Sequence, residues 1–243
     1  MGTLAVEVVN LDLSVGVGPE AKPIFSDVNF TIATGEILSI IGASGSGKST
    51  LLNLLTGFLK PESGQLKINF DESQIGIVLQ ESNLFPWLNV RQNIEFGYRF
   101  ARNANSVENV KLHVDELLAK LGLLDLELKS IDTLSGGQAQ RVAIARTLAT
   151  KPKLLLLDEP FSSVDALTRH DLQDWVHSLR EEFDLTIILV THDLDEAFYL
   201  GDRVGLIDQR SLSIEFFETE SVERKKSLDT ELHNQIFNTF VRK

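Results

Sequence analysis

The sequence predicts an α/β fold in which a mainly parallel sheet carries a phosphate-binding loop, with an N-terminal antiparallel β subdomain and an inserted helical subdomain. Three observations predict it. The apolar run Ile37, Leu38, Ser39, Ile40, Ile41 leads straight into a glycine loop, Gly42 to Thr50, reading GASGSGKST, and then into Leu51 and Leu52. Four consecutive leucines, Leu154 to Leu157, end in Asp158, and Leu185 to Val190 form a second such run, as in strands covered on both faces. Between these runs Leu167, Leu172, Trp175, Val176 and Leu179 recur at helical spacing, so a β-α-β unit with parallel strands follows.

Taken in order, residues 4–9 and 28–32 read as strands of a small antiparallel sheet, with the loop Gly16 to Pro23 between them. After the glycine loop, a helix over Leu51 to Leu59 is stopped by Pro61 and Gly64, and Gln65 to Phe70 and Gln74 to Leu79 read as strands. From Glu81 the character changes: Leu84, Phe85, Pro86 and Trp87 form an apolar knot in an irregular segment. Val110, Val114, Leu117, Leu118 and Leu121 then give one face of a helix ending near Gly122. Near the end Leu228, Leu232, Ile236, Phe240 and Val241 describe one more amphipathic helix. The expected organisation is one domain over 1–243. Its core comprises about 1–80 and 151–210, its helical subdomain about 81–150, and its C-terminal extension 211–243.

Composition narrows the function. With 243 residues, 43% of them hydrophobic, the chain can bury a sizeable core. No apolar run approaches the roughly 18 to 20 residues that span a bilayer, and Met1 to Asn10 lacks the features of a signal peptide. The expected chain is soluble. The absence of cysteine excludes disulfides, thiolate metal sites and cysteine nucleophiles. A net charge of -12 argues against a general nucleic-acid binder, which needs clustered Lys and Arg.

The glycine loop suits phosphate. Gly42, Gly45 and Gly47 let the backbone turn tightly, so that successive N–H groups of Gly42, Ala43, Ser44, Gly45, Ser46, Gly47 and Thr50 can converge on one anion beside a helix N-terminus. Lys48 would reach the β- and γ-phosphates of a nucleoside triphosphate as a point charge. The Ser49 hydroxyl would be one ligand of Mg2+, whose remaining positions go largely to phosphate oxygens and water.

The rest of the chain decides the class. Leu134 to Gln138 reads LSGGQ, Leu154 to Glu159 reads LLLLDE, Ser162 to Asp165 reads SSVD, and Thr191 to Asp193 reads THD. In this the sequence resembles the ATP-binding cassette of ABC transporters, a branch of the P-loop NTPases, over residues from about 4 to 210. The resemblance implies ATP and Mg2+ as ligands and ATP hydrolysis as the reaction. Asp158, at a strand end, would hold the metal through water, and Glu159 would act as general base on the attacking water. His192, also at a strand end, would bind the γ-phosphate and sense its loss. The Gln80 amide would touch Mg2+ or the lytic water, and by resemblance links nucleotide state to rotation of the helical subdomain.

Ser135, Gly136, Gly137 and Gln138 form a second anion site at a helix start. The resemblance supplies its use: two cassettes pack head to tail, each ATP lying between one chain's phosphate loop and the other's LSGGQ, with Ser163 and Asp165 in the cross-dimer loop. The segment ESNLFPWLNVRQNIEFG after Gln80, with LDEPFSSVDALTR and THDLDEAFYLGDR, looks like importer ATPases of the nitrate, sulfonate, taurine and thiamine-precursor group. The expected partners are therefore a second ATPase subunit, a permease docking near Phe85, Pro86 and Trp87, and indirectly a solute-binding protein, at the cytoplasmic face of the cell membrane. The alternatives are an exporter ATPase and a soluble cassette ATPase without a permease. One departure stands out. Such importers carry an adenine-stacking aromatic near the position of Val15, which cannot stack; either Phe25 substitutes or contact with the base is weaker, and modest ATP affinity with poor ATP-over-GTP discrimination is expected.

Overall fold

Alternating apolar residues build the first sheet. β1 (Leu4–Val15) buries Val6, Val8, Leu11 and Leu13, and β2 (Lys22–Ala33) answers with Phe25, Val28, Phe30 and Ile32 in an antiparallel pair. The computed structural model describes residues 3–16, 18–100 and 107–219. Asn10, at φ 48, sits in a register shift that inserts an extra residue into β1, which is how Leu11 and Leu13 stay on the buried face that Val6 and Val8 began. Both strands run to 12 residues, longer than their apolar alternation predicts, and Lys22 and Pro23 lie on β2 rather than in the loop. β2 is an edge strand, where a proline costs no ladder bond.

β3 (Ile37–Ile41) is buried at all five positions and leads through the glycine loop into α1 (Lys48–Leu55). That helix stops before Leu59 because Gly57 takes φ 77, a left-handed turn that ends it early. β4 (Ser63–Ile68) then returns to pair antiparallel with β1.

The chain contacts define two units, the first made of residues 1–70 and 180–243 and the second of 71–179. In the second, β5 (Ile75–Val78) is followed by α2 (Val90–Phe100), α3 (Val107–Lys120) and α4 (Gly136–Leu148), the helical region the sequence predicts. Helices α2 and α4 meet at Gly97, where an added Cβ would come within 2.2 Å of the Arg146 carbonyl oxygen. Arg91 at the start of α2 binds the carboxylates of Glu127 and Asp115, the latter at 2.6 Å. β6 (Leu154–Asp158) pairs parallel with β5, and α5 (Ala166–Phe183) follows, counted in this unit as far as Leu179.

The chain re-enters the first unit through β7 (Thr186–Thr191), α6 (Leu194–Leu200), β8 (Arg203–Asp208) and β9 (Ser213–Glu218). β3 lies between parallel β7 and β8, and β9 closes the edge antiparallel to β8. Within this unit the two sheets meet through Phe30 and Phe216, with ring centroids 5.4 Å apart, while the Arg203 guanidinium stacks on Phe216 and binds Glu36 at 2.9 Å. The amphipathic pattern from Leu228 to Val241 lies outside the described residues.

Candidate active site

The strand, loop and helix around Gly42 take the form the sequence predicts. Gly45 and Gly47 adopt φ 76 and 106, conformations an L side chain resists, and Gly47 caps α1. Gly47 also has no room: an added Cβ would meet Ile24 at 2.6 Å. Gly42 serves differently from Gly45 and Gly47. Its φ is not positive, and what it provides is close approach, since a Cβ there would fall 2.3 Å from the Ser46 hydroxyl oxygen. Lys48 is 6% exposed, and its ammonium donates to the Gly42 carbonyl at 2.8 Å and the Ala43 carbonyl at 3.3 Å. The ammonium is thus folded back over the loop, and the buried Ser46 hydroxyl oxygen has no hydrogen-bond partner. A cation and an unsatisfied hydroxyl turned to one glycine loop fit a phosphate group. Ala43, Ser44, Gly45 and Ser49 are exposed and Thr50 is half-buried in the first turn of α1.

The parallel β3–β7 register places His192 beside this loop. Ile41 is the partner of Thr191, so Gly42 and His192 leave adjacent strands at the same end. The turn that carries His192 is tied locally. The Thr191 hydroxyl donates to the Glu196 carboxylate at 2.7 Å and accepts the Asp193 N–H at 3.0 Å, while the Asp193 carboxylate caps α6. Glu196, 6% exposed, is a residue the motif reading missed. Its signal was present: an acid three residues after an Asp N-cap is the sequence mark of a helix start.

In the second unit the β5–β6 register brings the strand ends of the glutamine and the acids together. Val78 pairs with Leu157, so the strand ends that lead to Gln80 and to Asp158 and Glu159 are neighbours. Gln80 is exposed, and both acids are half-buried after the buried leucines. Glu159 has φ 44, a left-handed conformation uncommon for a side chain of its size. Among the described residues no group of three His, Asp or Glu is placed to hold a metal ion. The donors expected for Mg2+ are few, the Ser49 hydroxyl in the first unit and the Gln80 amide and Asp158 carboxylate in the second, a donor chemistry that suits a cation keeping phosphate and water ligands.

LSGGQ is a helix cap. Ser135 is the N-cap of α4, its hydroxyl accepting the Gln138 N–H at 3.3 Å while the Gln138 side-chain oxygen accepts the Ser135 N–H at 3.1 Å. Gly136 and Gly137 occupy the first turn. A Cβ on Gly136 would meet the Ser163 carbonyl oxygen at 2.5 Å, which packs the motif against the SSVD turn. The Asp165 carboxylate of that turn accepts from Thr168 at 2.6 Å.

The apolar knot is divided in its exposure. Phe85 is half-buried against Phe96, with centroids 4.4 Å apart, and under the Arg146 guanidinium, whereas Trp87 is 75% exposed and Pro86 is exposed too. Of the two alternatives for the missing ring, the burial of Phe25 favours weaker contact with the base. Phe25 is 2% exposed and sits under Gly47, 3.3 Å from where that residue's Cβ would be, so it is core and offers adenine no face. Val15 is 45% exposed.

Comparison with known proteins gives this geometry its relatives. A family model described as ABC transporter matches residues 25–162. The aliphatic sulfonates import ATP-binding protein SsuB 1 of Xanthomonas axonopodis pv. citri is 46% identical over 191 residues, covering 76% of this chain and 75% of the relative. The taurine import ATP-binding protein TauB of Jannaschia sp. is 41% identical over 215 residues, covering 86% of this chain and 79% of its own. Among solved structures, the dimeric post-hydrolysis state of the ATP-binding cassette MJ0796 bound to ADP and Pi aligns with TM-score 0.75 at 32% identity, covering 89% of this chain and 100% of that one. With a glycine loop after β3, an acid pair at the end of β6, a histidine after β7 and an LSGGQ cap on α4, the chain belongs to the ABC transporter family of ATP-binding cassettes.

Proposed function

We propose that the chain is the energy-coupling ATPase subunit of an ABC importer for a small oxyanion of the sulfonate, taurine or nitrate kind. The observation that carries the reading is the Ile41–Thr191 register, from which the glycine loop and His192 leave adjacent strands at the same end, as a γ-phosphate contact by His192 requires. Gly42 to Thr50 bind the triphosphate and Lys48 neutralises it; Ser49, Gln80 and Asp158 would hold Mg2+, which when bound would supply charge neutralisation at the phosphate oxygens. Glu159 accepts a proton from the attacking water, and His192 binds the γ-phosphate and registers its departure. Ser135, Gly136, Gly137 and Gln138 receive the nucleotide of a second copy, so that turnover requires a closed homodimer; the dimeric state of the cassette MJ0796 supports this.

Transport follows from the relatives' import roles and from the exposed Trp87 and Pro86 on an anchored Phe85, an apolar patch suited to a permease helix. No helix among the described residues is long and apolar enough to cross a membrane, so attachment to the cytoplasmic face of the cell membrane would come from that permease, with a solute-binding protein acting through it. Co-expression with the candidate permease and transport into vesicles tests the reading. Solute uptake that requires ATP and is lost in Glu159→Gln supports it; turnover unchanged by Glu159→Gln removes the assigned base, and uptake independent of this subunit removes the coupling role.

A further inference from the structure

We infer that Ser162 is a positioning residue for Glu159, holding the backbone turn from which the carboxylate is presented. Three observations meet at this turn. Glu159 has φ 44, and the residue that follows it is Pro160, whose ring further restricts the conformations open to the residue before it. The Ser162 hydroxyl donates to the Glu159 carbonyl at 2.9 Å, and the Ser162 N–H donates to the same oxygen at 3.2 Å, so one carbonyl takes both donors of one residue. The stretch between is fixed from below: Pro160 is buried and Phe161 is 0% exposed, and the Val164 N–H closes on the Phe161 carbonyl at 3.1 Å.

A left-handed glutamate before a proline is costly and persists only where its surroundings over-determine it. Pro160 and Phe161 anchor the downstream side, but burial alone does not fix the rotation of the Glu159 peptide. The two bonds from Ser162 do, because they seize the carbonyl whose direction changes with Glu159 ψ. The Cβ of Glu159, and with it the carboxylate, therefore points where this carbonyl lets it. An alanine at 162 keeps the backbone bond and loses the hydroxyl bond, leaving the turn formed but looser. The loss falls on the chemical step, which is sensitive to the base's aim, and not on ATP binding, because the hydroxyl's bond is to the Glu159 carbonyl.

This inference rests on the reading of Glu159 as general base, and the experiment keeps the two apart. Steady-state ATPase is measured on the full chain for wild type, Ser162→Ala, Ser162→Thr, Glu159→Gln and the double variant Glu159→Gln with Ser162→Ala, together with thermal unfolding and ATP-driven pairing. Ser162→Ala is expected to lower kcat about threefold to tenfold, the worth of one modest hydrogen bond, with KM for ATP held within about twofold. Ser162→Thr, which retains the hydroxyl, restores most of the rate. In the Glu159→Gln background the serine substitution costs nothing further, and pairing is unchanged. Wild-type kcat in Ser162→Ala with Glu159→Gln inactive overturns this inference alone, as does failure of threonine to restore the rate, or loss of pairing in the double variant, which would move Ser162 to the subunit interface. Full turnover in Glu159→Gln overturns the general-base reading itself and, with it, this inference.

Discussion

The Thr191 hydroxyl donates to the Glu196 carboxylate at 2.7 Å, joining the last residue of β7 to the first turns of α6 around His192. Glu196 is 6% exposed, so a carboxylate there depends on its donors. Thr191→Val keeps the shape and removes this donor and the acceptor of the Asp193 N–H. The expected cost is about 1 to 3 kcal/mol, with the unfolding midpoint lowered by a few degrees. Differential scanning calorimetry reads the first effect; ATPase assays should show lower kcat, because the turn bearing His192 loses its tie.

His192 itself carries a sharper expectation. At the same strand end as the phosphate loop, an imidazole donor to the γ-phosphate, the role proposed for His192, acts most where charge is spread over the transferred phosphoryl oxygens in the transition state. Removing one such donor costs roughly 10²-fold to 10³-fold in rate. His192→Ala should therefore lose about that much in kcat while ATP binding, measured by equilibrium titration, changes little. A loss of binding equal to the loss of rate would make His192 a ground-state contact.

Much of this was legible in the sequence because single residues carry it. Glycines at 45 and 47 advertise positive φ, and four leucines ending in an acid advertise a buried strand, so β3, β6 and β7 and their terminal residues were readable one by one. What stayed hidden depends on pairing partners. Neither β8 nor β9 stands out by pattern: Arg203–Asp208 becomes a strand by lying on β3, and Ser213–Glu218 by lying on β8 with Phe216 against Phe30. The burial of Phe25 was hidden for the same reason, since a lone aromatic on an edge strand reads equally as a ligand platform or as core. The φ of Glu159 has no sequence signature.

The helical region should be sensitive at its helix crossing. A methyl on Gly97 would sit 2.2 Å from the Arg146 carbonyl oxygen, a backbone atom of α4 that cannot rotate away. Gly97→Ala gains helix propensity but must push α2 off α4. Overpacking of this kind costs about 1 to 3 kcal/mol, more than the propensity gain of just under 1 kcal/mol. Urea unfolding should show a lower midpoint; a stabilised variant would mean that the helices separate freely.

Acid should weaken the same region through His113. Burial holds its imidazole below the ordinary value of 6.5, helped by the nearby Lys151 ammonium, and its Nε2 is buried without a partner while the ring packs at a tilt against Tyr98. The folded state thus binds the proton less readily than the unfolded chain. The stability this represents is present above pH 6.5 and is lost as pH falls through the lower folded value. His113→Gln should show a flatter dependence of the unfolding midpoint between about pH 7 and pH 5 than wild type. Parallel profiles would assign the acid sensitivity to other groups.

Base selectivity is the last expectation, and it follows from two side chains. Val15 is 45% exposed at the end of β1, and Phe25, the candidate replacement for a stacking ring, is 2% exposed beneath Gly47. Neither offers a flat exposed face. Stacking a base on an aromatic ring is worth about 1 to 3 kcal/mol, so a cassette without it binds ATP through the triphosphate and should distinguish ATP from GTP poorly. Val15→Tyr restores a ring at an exposed position on an existing strand, where it disturbs no core packing. ATP affinity should then rise by about tenfold, as one such stack is worth at the low end of that range, with phosphate-loop contacts unchanged. Competition binding with ATP and GTP on wild type and Val15→Tyr decides it. Strong adenine preference in wild type, or no gain from the tyrosine, would mean that the base lies away from β1 and is held by a residue other than these two.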